Sequence, residues 1–320
     1  MTSATTRTQP SGTAVATTVD RAPTGTPLRE DGSVRDIVVF FAIGYAIAWT
    51  TWLVIAWAAA GAGVDSDTFL RLIEAGELGD LQTPLPGWVL YLLSRVIDFS
   101  FSIAGVTMIA VTGGTAGLRQ LGSRLTAWRL APRWYAIALL PVALYGVAAA
   151  VITSSEGGEV LLDLSVLRSI LFSLSAGLLV SLFLRGAMGE ELGLRGFVLP
   201  RLQARTTPFN ASLVIGTLWG LWHLPVLLNR DPGSILTYLV FVYTTTFLFT
   251  WLFNHTSGSL LPVLLLHATI NWEEGIEAVF PAVRGTDWET LPVIALMLLG
   301  VAAAVHLRRH PVVLDEPRAA

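Results

Sequence analysis

The chain has 320 residues, 53% of them apolar and only 13% charged, about half the charged fraction of an average soluble domain, roughly 25%. With a mean hydropathy of +0.64, this excludes an ordinary water-soluble fold and points to an all-α, polytopic membrane helical bundle. A net charge of -3 offers no basic face for nucleic acid. The absence of cysteine removes disulfides, thiolate metal ligands and a cysteine nucleophile. All twenty Lys and Arg positions are Arg, so lysine Schiff-base and Walker-type chemistry is excluded as well.

Residues 1–34, rich in Thr, Ser, Ala and Pro, lack the compact apolar core of a signal peptide and read as a disordered cytoplasmic tail. An uncharged run from Ile37 to Val64 exceeds the roughly 20 apolar residues that cross the hydrocarbon of a bilayer. Similar runs near 87–112, 134–153, 170–199, 210–229, 234–254, 257–272 and 291–306 bring the expected number of spans to about eight. Arginine supports that phase. Fourteen arginines fall on alternate segments, namely the tail, the 114–133 loop, the stretch with Arg195, Arg201 and Arg205, and the C-terminus. The intervening loops hold four, Arg71, Arg168, Arg230 and Arg284. By the positive-inside rule both termini are cytoplasmic, and Asp65, Asp67, Glu74, Glu77 and Asp80 lie in an exported loop. Within 116–131, Leu118, Leu121, Leu125 and Trp128 recur at helical spacing opposite arginines, as in an interfacial amphipathic helix; an ordinary loop is the alternative. The expected organisation is therefore a tail (1–34), helices 1–3 with the amphipathic loop (35–168), a core carrying chemistry (169–275), and a last helix with a cytoplasmic tail (276–320).

A charge inside a membrane helix is costly enough to need a reason. Arg95 and Asp98, three apart on span 2, can neutralise each other, and Arg185 reads as a snorkelling or ion-pairing residue. The segment Gly189-Glu190-Glu191-Leu192-Gly193-Leu194-Arg195-Gly196 is different, because two adjacent carboxylates cannot share one partner. Glu191 and Arg195 are spaced i,i+4 and can pair, which leaves Glu190 pointing about 100° away. A carboxylate held apart in an apolar cavity is suited to general-base work near neutrality; a purely structural network of the three charges is the alternative.

Span 5 carries Trp219 one turn before His223, with Pro225 loosening the helix beside it. Span 7 carries His267 and Asn271 at i,i+4, a pair able to position a ligand or stabilise an oxyanion, although a lone membrane histidine is more often a helix-to-helix hydrogen-bonding group. At 1.5 Å per residue, His223 lies about 20 Å and His267 roughly 12–15 Å along their spans. Glu190 reaches a comparable depth if span 4 stays helical to about Arg201.

Glu-Glu-x-x-x-Arg, then aromatic-x-x-x-His, then His-x-x-x-Asn on successive membrane helices resembles the CPBP family of intramembrane proteases, which includes the CAAX prenyl endopeptidases of the Ras-converting type and the bacterial Abi, or bacteriocin-immunity, proteins. The likeness covers about residues 170–275, with Trp219 where the family often has Phe. It implies that Glu190 activates a water beside His223, that His267 and Asn271 hold the oxyanion or help bind a metal, and that Glu191 and Arg195 fix the site. The implied cofactor is zinc or another divalent metal, with Glu190, His223 and His267 as its candidate ligands; a metal-free water held between Glu190 and a histidine is the other scheme. The implied substrate is a membrane protein or lipidated peptide, and the implied location a bacterial or archaeal cell membrane. Two further readings stand beside the protease: a non-catalytic immunity or scaffold protein, and a small proton-coupled transporter using Glu190 and the histidines as a relay.

Overall fold

The computed structural model describes residues 33–155, 164–228, 230–271 and 280–311. The expected disordered tail lies almost entirely outside them. Helices α1 (Val34–Ala62), α2 (Ser66–Ala75), α3 (Gly87–Leu125), α4 (Pro132–Ala138) and α5 (Leu140–Ser155) form the N-terminal part. Ser33 starts α1 with a reciprocal capping box to Asp36. Then come α6 (Leu164–Leu184), α7 (Gly186–Gly193), a π-helical turn (Leu194–Val198), α8 (Leu199–Gln203), α9 (Pro208–Trp222) and α10 (Leu224–Leu227). Helices α11 (Pro232–His255), α12 (Leu261–Ile270) and α13 (Leu291–Arg309) complete an all-α membrane bundle, with no strand among the described residues.

Among the described residues the expected count of about eight spans is not reached by length and apolarity alone. Helices α1, α3, α11 and α13 qualify, and α4 with α5 makes a fifth if this pair, bent by 62°, is one span. The motif-bearing segments are the broken or short ones: α6 and α7 are separated at Arg185, α9 ends at His223, and α12 has ten residues. The 116–131 stretch is also redrawn. Its first part, to Leu125, continues α3 beyond a kink at Gly114, whose φ of 55° suits glycine, and 126–131 is non-helical.

Two faces can be recognised. On one, α1 ends, α2 lies and α3 begins, and an Arg230–Asp67 ion pair at 2.8 Å ties the α10–α11 connection to α2. On the other, the Leu260 amide donates to the Arg124 carbonyl at 3.0 Å, Ser259 Oγ to the Ala127 carbonyl at 2.9 Å, and Gln203 Nε2 to Asn254 Oδ1 at 3.1 Å.

Lipid is as apolar as leucine, so membrane helices associate through close packing and polar contacts rather than by hiding oil from water. The α3–α7 crossing shows this. Gly189 and Gly193 lie against the backbone of Asp98, Phe99 and Phe101, where a Cβ would meet main-chain atoms; a Cβ on Gly105 would sit 2.6 Å from Gly193 Cα. Ser102 Oγ donates to the Met188 carbonyl at 2.6 Å, and Ser181 Oγ to that of Ala268 at 2.7 Å, bonds worth roughly 0.6 kcal/mol each in a bilayer. Phe40 stacks at 5.5 Å on both Phe101 and Phe197, filling the core between α1, α3 and the π-helical turn.

Candidate active site

The site is built where α7, α9 and the end of α12 meet. Arg185 adopts an extended backbone (φ -121°, ψ -171°), so α7 starts afresh and carries Glu190 and Glu191 at its C-terminal end, against the π-helical turn. Such turns are rare and often occur at functional sites. Helix remains continuous through Gln203, as the depth argument required.

The adjacent glutamates have different surroundings. Glu191 Oε1 accepts from Arg195 Nη1 at 2.8 Å and from His267 Nδ1 at 2.7 Å, all three side chains being buried. The Arg195 guanidinium also faces the rings of Phe249 and Trp219, at 4.7 and 5.4 Å. Those aromatic faces take the place of oxygen acceptors for its remaining N–H groups. Glu190 instead accepts a bond from Trp219 Nε1 and borders a cavity of about 280 Å³.

His223 and Asn271 line the same cavity; His267 does not. His223 ends α9 with Nδ1 2.9 Å from the Trp219 carbonyl. A carbonyl only accepts, so Nδ1 carries the proton and neutral His223 presents the lone pair of Nε2. Asn271 lies just past α12, its backbone N–H donating to the His267 carbonyl at 3.0 Å. Gly186 lies between the Glu190 and Asn271 side chains: a Cβ there would strike Glu190 Oε1 and come within 2.9 Å of Asn271 Nδ2.

The i,i+4 spacing of His267 and Asn271 thus does not put both on the cavity. Arg95 and Asp98 do pair, at 2.9 Å, and Arg95 also holds Glu74 at 2.9 Å. Asp98, Glu74 and Arg185 nonetheless belong to the cavity wall, with Trp49 and Trp52 from α1, which sequence reading did not anticipate. Their only signal was membrane charge and aromatic content. The Trp219 bond to Glu190 is not legible in the sequence either, where Trp219 stands only one helical turn before His223.

For a metal, the donor arrangement fits poorly. Among the described residues no three His, Asp or Glu side chains gather as an ion-binding group. His267 has its Nδ1 on Glu191 and is not among the side chains that line the cavity.

Comparison with known proteins agrees with the motifs. Residues 169–272 match the family model described as Type II CAAX prenyl endopeptidase Rce1-like. Over that segment the chain resembles this family of endopeptidases. It is also similar to CAAX prenyl protease 2 of Methanococcus maripaludis, 28% identical over 120 residues, or 34% of this chain. The match spans 44% of that relative, less than half its length. The stretch from α7 through Asn271, which carries every motif residue, falls within the matched segment.

Proposed function

We propose that this chain is an intramembrane endopeptidase, CAAX-protease-like, that hydrolyses peptide bonds of membrane-associated polypeptides. One observation carries the reading: Glu190 borders a cavity shared with His223 and Asn271, while Glu191 is fastened inside the protein by Arg195 and His267. His223 Nε2 accepts a hydrogen bond from a water and orients it. Glu190 takes the proton of that water as its oxygen attacks the peptide carbonyl. Asn271 Nδ2 donates to the oxyanion that forms. Collapse of the tetrahedral intermediate breaks the C–N bond, and Glu190 returns the proton to the leaving amine. His267 acts here by holding Glu191, and through it Arg195, behind Trp219. No step is routed through a metal.

The test is membrane proteomics of cells carrying the wild type or Glu190→Gln. A substrate that accumulates uncut only with Glu190→Gln supports hydrolysis. Identical membrane proteomes, with both proteins present in equal amount, would favour the non-catalytic or transporter reading.

A further inference from the structure

We infer that substrate reaches Glu190 from the face carrying α2, and that this is the exported face, so the substrates are polypeptides exposed at the extracytoplasmic side of the membrane. The inference rests on the hydrolytic reading for what happens inside the cavity, but not for how the cavity is reached.

The first argument is the identity of the lining residues. Leu70 and Glu74 come from α2 itself, and Pro225 and Val226 from α10, which the Arg230–Asp67 pair holds beside α2. Trp52 lies eighteen residues into α1, about 27 Å from its start on the opposite face. None of the lining residues comes from 191–203.

Depth gives the second argument. From Pro208 on the face away from α2, α9 travels fifteen residues, about 22 Å, before it reaches His223. From Gly87 on the α2 face, α3 travels eleven residues, about 16 Å, to Asp98. In roughly 30 Å of hydrocarbon the site is therefore nearer the α2 face.

The opposite approach is filled. Glu191 and Arg195 are fully buried there, and Phe40, Phe101, Leu194, Phe197 and Leu199 are completely excluded from solvent. A peptide arriving from that side would have to displace a packed aromatic stack and a buried ion pair.

Charge then assigns the faces. Among the described residues, Arg35, Arg119, Arg124, Arg129, Arg133, Arg201, Arg205, Arg308 and Arg309 belong to the filled side. Four, Arg71, Arg168, Arg230 and Arg284, belong to the α2 side, together with Asp65, Asp67, Glu77, Asp80, Asp231 and Asp287. Arginine stays in the cytoplasm, so the cavity opens outward.

The chain's lack of cysteine makes the test direct, since any introduced thiol reports alone. Leu70→Cys and Val226→Cys report on the cavity mouth, Glu77→Cys on the α2 surface and Arg119→Cys on the opposite surface. Each is exposed to a membrane-impermeant maleimide in right-side-out and in inverted vesicles. The expected result is labelling of the first three in right-side-out vesicles and of Arg119→Cys only in inverted ones. Mouth cysteines that react only in inverted vesicles, or in neither preparation while the surface controls react, would overturn the inference. Adding Glu190→Gln should leave the pattern unchanged. Failure of the hydrolytic reading would thus appear in the proteome and not in the labelling.

Discussion

His267 Nδ1 donates to Glu191 Oε1 across 2.7 Å, which fastens the histidine of the third motif to the glutamate that does not border the cavity. Glu191 then holds Arg195 on the same oxygen. The two adjacent carboxylates are thereby divided between work inside the protein and work at the cavity, and the division is testable.

Glu190→Gln is isosteric and should abolish proteolysis, a loss on the order of a hundredfold or more for a general base, while leaving thermal stability in detergent close to wild type. Glu191→Gln leaves the Arg195 charge buried without its carboxylate. Breaking a buried pair this way costs about 3–5 kcal/mol, so the melting temperature and yield should fall together with activity. Equal losses of stability in the two variants would refute the division.

Trp219 links the site's parts, because its Nε1 donates to Glu190 while its ring packs edge-on to His223 and His267, each centroid 5.8 Å away. Trp219→Phe keeps an aromatic ring but removes the donor. A hydrogen bond to a charged group contributes about 1.5–3 kcal/mol, so kcat should fall roughly ten- to hundredfold with little change in melting temperature. Trp219→Ala also removes the ring beneath Arg195 and should be destabilising. A Phe variant with full kcat would show that the indole N–H is dispensable.

Gly186→Ala sets two effects of opposite sign against each other. Alanine is the better helix former by about 1 kcal/mol, but its methyl would strike Glu190 Oε1 and approach Asn271 Nδ2. Overpacking of this kind costs about 1–3 kcal/mol, and here the strain falls on two cavity side chains. Activity should therefore drop more than melting temperature. Unchanged kinetics with a raised melting temperature would mean that Gly186 does not set the spacing between Glu190 and Asn271.

The motif residues were legible because membrane charge is expensive, so Glu190, Glu191, Arg195 and the histidines stood out against an apolar background. The Glu191–Arg195 pair followed from helical spacing alone. The fate of His267 and Asn271 did not. Spacing puts them on one face only while the helix lasts, and α12 ends at Ile270. The break at Arg185 was equally hidden, since an extended residue between two helices leaves no Pro in the sequence to mark it. The walls supplied by Trp49, Trp52, Leu70 and Glu74 arise from tertiary packing of α1 and α2 against segments over a hundred residues away, which periodicity along the chain does not encode.

The last prediction concerns metal. A catalytic zinc site ordinarily has three protein ligands and an open position for water. Glu190, His223 and His267 were the candidate set, yet each of them engages Trp219 rather than a shared central point: Glu190 through its carboxylate, and the histidines through their rings. His267 also spends Nδ1 on Glu191, and if it were drawn toward the cavity, Glu191 would lose one of its two partners. We therefore expect purified active enzyme to contain well below one zinc per chain and, after extended chelation, to keep activity within about twofold of the untreated sample. Elemental analysis and a chelation and zinc add-back series measure both quantities on one preparation. About one zinc per chain, with activity lost on removal and restored on return, would replace the metal-free water with a metal site assembled by movement of His267.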